Sequence, residues 1–380
     1  MSRLIDIIRR EVAERGILSF ARFMELALYC PKHGYYETKK DNTGRRGDFY
    51  TSVGTGELFG QLLAFQFSEW LGPLRNAEGG GRIVEAGAHD GKLAGDILAW
   101  LQLKRPEIFG QMEYWIIEPS ARRQDWQNET LNEFAPRVRW FDSFQSVSSP
   151  NPKSGIRNPK LNGVIFSNEL LDAMPVHRFG WDAARKKWHE WGVKVDGERF
   201  VWAKLHNPES GIQNSELPAE LLAVLPDGYN IETCPAAENW WREAANVLER
   251  GKLMTIDYGF AADELFSPAR PHGTLRAYFR HHVSDDLFAN VGEQDLTAHV
   301  NFSALQEIGE EAGLSTESFQ TQAQFLAQIL ARASKDSSSG GLVASKRNDN
   351  GWTSAKARQF QTLTHPEHLG RAFRVLVQTR

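Results

Sequence analysis

The sequence is poor in cysteine. Cys30 and Cys234 are the only two in 380 residues, too few for a disulfide framework or a cysteine-based zinc site. That scarcity fits a reducing compartment. No apolar run approaches the ~20 residues a membrane span requires. The opening MSRLIDIIRREVAERG carries charge throughout and lacks the apolar centre of a secretory signal. The expectation is a cytoplasmic protein without a membrane span. Charge of one sign is missing too: 44 basic and 48 acidic residues leave a net −4 with histidine neutral. That balance argues against a general nucleic-acid binder. The 11 histidines are scattered, and His281-His282 lacks a helical ligand spacing, so no metal centre is expected.

What is present is enough apolar sequence for a sizeable core: 41% hydrophobic against 24% charged residues. Leu4, Ile8 and Val12 predict an N-terminal helix that Gly16 ends. Ser19 reads as the N-cap of a second helix, which Pro31 breaks. Residues 30–52 read as a long irregular stretch, and helix resumes from about Gly56 to Leu71. Strands are predicted at Arg82–Ala86, Glu113–Glu118, Val138–Phe141, Gly163–Ser167 and Lys252–Asp257, with helices at Lys92–Lys104 and Ala121–Phe134. This β-α alternation implies a mainly parallel sheet with helices on both faces. Between the last two strands, Val176–Trp181, Trp188–Val193 and Phe200–Leu205 alternate in the manner of an inserted antiparallel meander. The tryptophans clustered from Trp181 to Trp241 suggest a packed sheet face. Phe373–Thr379 reads as a closing strand.

The strongest local signal is IVEAGAHDGKLAGDIL, residues 83–98. A strand ends in acid, a glycine follows, and a second glycine opens a helix. Glycines there let backbone approach a ligand, and the helix start offers free N–H groups. Glu118 ends the next strand, suited to accept hydrogen bonds from both hydroxyls of a ribose. Asp142 and Ser143 end the third, placed to touch a base. A nicotinamide dinucleotide and S-adenosylmethionine share that geometry. The dinucleotide fingerprint G-x-G-x-x-G is absent. Glu85, two residues before Gly87, suits the ammonium of the methionine moiety, so the methyl donor is the favoured reading, with Gly87, His89 and Gly91 against it.

At this point the chain resembles the MidA family of class I methyltransferases. The matching blocks are GDFYTSVGTGELFGQLLA (47–64), the glycine motif, Ile117-Glu118-Pro119-Ser120, SNELLDAMPVHRF (167–179), Ile256-Asp257-Tyr258-Gly259, GTLRAYFRHH (273–282), DLTAHVNF (295–302) and the C-terminal HPEHLGRAFRVL. The family's G-P-G-x-G has Ala88 and His89 in its second and third places here. The resemblance implies a class I methyltransferase fold, an α/β Rossmann-like sheet carrying the inserted meander and an N-terminal helical segment. It implies methylation of a protein arginine, by analogy a respiratory-complex subunit. A guanidinium is always charged and needs carboxylates to orient it, so Glu169, Asp172 and Asp257 are the expected catalytic groups, with Asn168 beside them. Asp48, Thr51 and Ser52 belong to a lid-like loop over the cofactor. Gly273–Tyr278 and Asp295–His299 are further candidate walls, with Arg276 a possible partner of Asp257. The expected organisation is an N-terminal segment (1–72) and a methyltransferase domain (73–380), with a β-rich insertion (176–230) and a flexible connection (334–351). A non-catalytic assembly factor that keeps a degenerate methyltransferase fold is the alternative.

Overall fold

The computed structural model describes residues 3–38, 51–74, 81–148, 161–205, 219–280, 282–336 and 352–380. Asp48, and residues 337–351 of the expected connection, lie outside this set.

The central sheet is built from β1 (Arg82–Ala86), β2 (Glu113–Ile117), β3 (Val138–Phe141), β4 (Leu161–Asn168), β5 (Leu248–Phe260), β6 (Ser315–Thr321) and β7 (Phe373–Thr379). Their spatial order is 6-7-5-4-1-2-3. Strands β1 to β5 run parallel to one another, and β7 runs antiparallel to both β5 and β6. β1 therefore lies inside the sheet, between β4 and β2. The inner strands β1, β4 and β5 are apolar on both faces, since successive side chains point to opposite sides and both sides are covered. Ile83, Val164 and Met254 enter one core with the helices Leu58–Leu71 and Lys92–Lys104. Val84, Ile165 and Leu253 enter the other, beneath the helices Pro235–Val247 and Phe302–Glu311.

The meander forms as expected from His177–Asp182, Lys187–Asp196 and Arg199–Lys204. It is widened by Asn230–Thr233 and by Leu18–Ser19 from the N-terminal segment. The helices Arg3–Arg15 and Phe20–Tyr29 share a core with this sheet. Phe20 packs on Trp202 at 4.9 Å and Phe23 on Phe200 at 5.6 Å. Ser19 caps the second helix by accepting from Arg22 N. The Leu58–Leu71 helix, by contrast, is packed into the central sheet.

Three local expectations change. The helix from Ala121 stops at Thr130, and a 3-10 segment, Asn132–Arg137, carries Pro136, which has no N–H to continue an α-helix. Within the stretch read as irregular, Tyr35–Thr38 forms a helical turn because the Tyr35 ring is fully buried. Trp240 and Trp241 lie on the Pro235–Val247 helix rather than on the meander.

Both cysteines are free thiols. Burial raises each, Cys30 above its ordinary value and Cys234 to about 12. The Cys234 thiol donates to Pro175 O at 3.5 Å.

Trp241 joins a helix to β7: fully buried, it donates its indole N–H to Gln378 Oε1 at 2.8 Å. Trp241→Ala is expected to cost about 3–5 kcal/mol through the cavity it leaves. Trp241→Phe is expected to cost about 1–3 kcal/mol by stranding the Gln378 oxygen. Denaturant midpoints at unchanged slope check both values.

Candidate active site

At the carboxyl edge of the sheet β1, β2, β3 and β4 each deliver a polar group into one cleft. β1 ends in Glu85, 2% exposed, whose carboxyl accepts from Tyr114 Oη at 2.6 Å. Burial pushes Glu85 up to about 8, opposed by the Tyr114 hydrogen bond and helped by nearby Asp90. An acid so desolvated is poised for a cationic partner. The chain then turns through Gly87 and Gly91, both left-handed at φ 74° and 84°. A side chain at Gly87 would lie 2.7 Å from Leu170 Cδ1. His89 also adopts a left-handed conformation, φ 47°, which glycine accepts without steric cost and histidine does not. Gly91 caps the Lys92–Lys104 helix without a side-chain bond.

Glu118 follows β2 and is 1% exposed. It accepts from Ser120 N at 2.9 Å, Arg123 Nε at 2.9 Å and Gln127 Nε2 at 3.2 Å. After β3, Asp142 is exposed and accepts from Gln124 Nε2 at 3.4 Å, while Ser143 Oγ accepts from Ser146 N at 3.3 Å.

β4 ends at Asn168, and Glu169 leaves it with φ 52°. Glu169 N donates to Ile256 O at 2.9 Å, which holds this turn against β5. Its Oε1 accepts from Ser52 N at 3.0 Å and Asn168 Nδ2 at 3.1 Å. Its Oε2 and Asn168 Oδ1 are buried without a hydrogen-bond partner among the described residues. Burial pushes Glu169 up to about 8, against the Ser52 and Asn168 bonds, and Asp257 and Asp295 push the same way. Asp257 is fully buried. Its carboxylate accepts from Leu170 N at 3.1 Å, Leu171 N at 2.8 Å and Tyr258 N at 2.8 Å, so backbone groups, rather than Arg276, hold it. Asp257 rises to about 6 through burial, restrained by those three N–H groups. Asp172 rises further, through burial and the adjacent Asp257.

The cleft consists of two adjoining cavities that share Tyr29, Gly87, Glu118, Arg123 and Leu170 as common walls. Thr51, Glu85, His89, Asn168 and Glu169 line the first. Ile117, Asp142, Ser143 and Phe144 line the second. Asp172, Asp257 and Gly91 line neither, and Ser52 contributes its backbone N–H while its hydroxyl donates to Gln322 Oε1 at 3.0 Å. Sequence reasoning missed Tyr29, Tyr36 and Arg123. Tyr36 Oη donates to buried Asp295 at 2.8 Å, and Ser120 Oγ donates to Glu37 at 2.9 Å. The N-terminal segment thus closes one side of the cleft. The signal available for it was the Tyr35-Tyr36 pair before the GDF block.

The donor set fits S-adenosylmethionine. Buried carboxyls at Glu85 and Glu118 and the polar Asp142 and Ser143 line the cleft, beside the apolar Ile117 and Phe144. No cluster of metal-ligating side chains occurs among the described residues. No helix of the described residues is long and apolar enough to cross a membrane.

Residues 62–320 match the family of S-adenosyl-L-methionine-dependent methyltransferases. Among curated proteins, the chain is similar to the mitochondrial protein arginine methyltransferase NDUFAF7 of cattle. The two are 30% identical over 319 residues, which is 79% of this chain and 67% of that protein. The human counterpart is 29% identical with the same coverage. A COG1565-superfamily protein of Burkholderia thailandensis, crystallised with S-adenosyl-homocysteine, aligns at a TM-score of 0.80 and 33% identity. The alignment covers 99% of this chain and 92% of that one. The expected cytoplasmic location is contradicted by the NDUFAF7 relatives, which are mitochondrial proteins in mouse, human and fruit fly. The likeness decides between the two cofactors that the glycine loop admits: the chain belongs to the MidA-like family of S-adenosylmethionine-dependent methyltransferases.

Proposed function

We propose that this methyltransferase modifies an arginine side chain of a protein, and that Glu169 receives the guanidinium. The observation that carries this reading is the Glu169 carboxyl itself. It lines the cleft, one oxygen is fixed by Ser52 and Asn168, and the other is buried with no partner among the described residues. The names of the relatives, protein arginine methyltransferases, support the substrate class.

Bound S-adenosylmethionine supplies an electrophilic methyl on a sulfonium. Glu85 holds its ammonium, Glu118 its ribose, and Asp142 with Ser143 its base. The remaining work belongs to the acidic groups past β4 and β5. A guanidinium keeps its proton at neutral pH. Next to an ionised Glu169 it is oriented by charge-assisted hydrogen bonds. Glu169 is also the base positioned to take the proton that methylation displaces. Asp257 positions Glu169 by clamping the Leu170 and Leu171 N–H groups. Asp172 stands beside that clamp, its carboxyl raised by burial and by the Asp257 charge. Thr51 lines the cleft, and the N–H of Ser52 holds Glu169.

Glu169→Gln keeps shape and removes the charge. It is expected to lower kcat at least about tenfold, ~1.4 kcal/mol, with donor affinity close to wild type. Steady-state kinetics on a peptide arginine substrate beside calorimetric titration with S-adenosylmethionine check this. Full activity in that variant would sink the role.

Burial also fixes a pH dependence. Glu85 and Glu169 titrate near 8 in the folded protein, above the free value of about 4.3. Each binds its proton more tightly folded than unfolded, so its contribution to stability is full below about 4.3 and is lost as pH rises towards 8. The cofactor-free Glu85→Gln and Glu169→Gln proteins lack that loss. Their melting temperatures are expected to gain on wild type steadily from pH 5 to pH 8. Thermal melts across that range check it, and a flat or shrinking difference contradicts burial as the governing cause.

A further inference from the structure

The Ala121–Thr130 helix is polar along its length, and its single buried position is a glutamine. Gln127 is 0% exposed. Its Nε2 donates to His89 O at 3.1 Å and to Glu118 Oε2 at 3.2 Å. Its Oε1 accepts from the indole Nε1 of Trp140, on β3, at 2.9 Å. One amide therefore joins the glycine loop after β1, the acid after β2 and a residue of β3. Neither Gln127 nor Trp140 lines either cavity.

We propose that Gln127 is the positioning residue of the cofactor cleft, and that Trp140 fixes which way its amide faces. An indole N–H is a donor only, and a glutamine amide has one oxygen and one NH2 end. The oxygen must then face Trp140. Both N–H bonds of the other end are aimed at His89 O and Glu118, two acceptors that cannot bond one another. A flipped amide would set its NH2 against the indole N–H and its oxygen against a carboxylate and a carbonyl. All three partners would lose their bonds in one step.

The contact with His89 O has a particular use in this chain. His89 occupies the left-handed region, where a side chain is strained, and its carbonyl is the group Gln127 grips. The helix carrying Gln127 lies against the far end of the same loop: a side chain at Gly91 would come within 3.3 Å of Gln127 Cα. The other N–H bond steadies Glu118, whose remaining oxygen is held by Arg123 and Ser120 N. Gln127 thus holds the loop and the carboxylate in one mutual spacing.

The test rests on the cofactor assignment and uses S-adenosyl-homocysteine binding by calorimetry on the full chain, with a thermal melt of each sample. Gln127→Leu is expected to raise Kd about 10- to 100-fold, the scale of a lost bond to a charged group. Trp140→Phe is expected to raise it about 3- to 10-fold by freeing the amide to rotate. Added to Gln127→Leu, Trp140→Phe is expected to change Kd no further, since the two act through one amide. In activity assays both single variants raise KM for the donor and leave kcat at saturation near wild type. A folded Gln127→Leu protein within twofold of wild type in Kd overturns the proposal. If Gln127→Leu does not fold, Trp140→Phe decides: wild-type affinity there overturns it equally. A second readout needs no ligand. The Trp140 indole signal in a 15N spectrum, identified by its absence from Trp140→Phe, is expected to be protected from hydrogen exchange; exchange within minutes overturns the fixed amide. Wild-type protein that binds no S-adenosyl-homocysteine would instead strike at the cofactor assignment itself.

Discussion

The carboxylate of Asp257 takes the N–H groups of Leu170 and Leu171 just past β4, and that of Tyr258 on its own strand. The reactive end of the cleft depends on this clamp. A chain leaving a parallel strand normally carries its next residue away from the sheet edge. Here the clamp, with the Glu169 N–H bond to Ile256 O, bends the backbone into a left-handed step at Glu169. The bend keeps a glutamate side chain buried at the mouth. Buried carboxylates without cations are costly, and that cost raises both Glu85 and Glu169 above the usual carboxylate range.

The same edge explains why the N-terminal segment belongs with the site. Helices Arg3–Arg15 and Phe20–Tyr29 pack on the meander, and the meander grows out of the connection between β4 and β5. Tyr29, Tyr36 and Glu37 are thereby carried over the cleft, where Glu37 meets Ser120 and Tyr36 meets Asp295. We regard the insertion and the N-terminal helices as one cover on a methyltransferase sheet, with Leu58–Leu71 part of the sheet's own packing.

The inner strands were legible in the sequence because burial on both faces writes them as short continuous apolar runs that stop at a polar residue, whereas the polar β6, Ser315–Thr321, was not read as a strand. The stopping residues, Glu85, Glu118 and Asn168-Glu169, were legible for the same reason. Gln127 and Arg123 were not, because they sit on a helix whose other residues face water and whose pattern announces no core. Nor does a sequence show what a carboxylate is bonded to. Asp257 and Asp172 share the acidity of Glu169, yet only Glu169 reaches the cleft wall. The helix from Ala121 was read on to Phe134 although it stops at Thr130, and the turn at Tyr35–Thr38 depends on a tertiary pocket for its ring. The cellular compartment was not written in composition at all.

The treatment of the two cysteines bears on a hazard peculiar to this chemistry. S-adenosylmethionine is an alkylating agent, and a protein that concentrates it keeps an electrophile beside its own side chains. Thiolates are the softest nucleophiles a protein carries, and reactivity follows the thiolate rather than the thiol. Cys234 lies next to Met174, a wall residue of the cleft, and burial holds it protonated far above neutrality. Cys30 is raised in the same way. Burial thus keeps both thiols on the side away from the thiolate, the form that an electrophile alkylates.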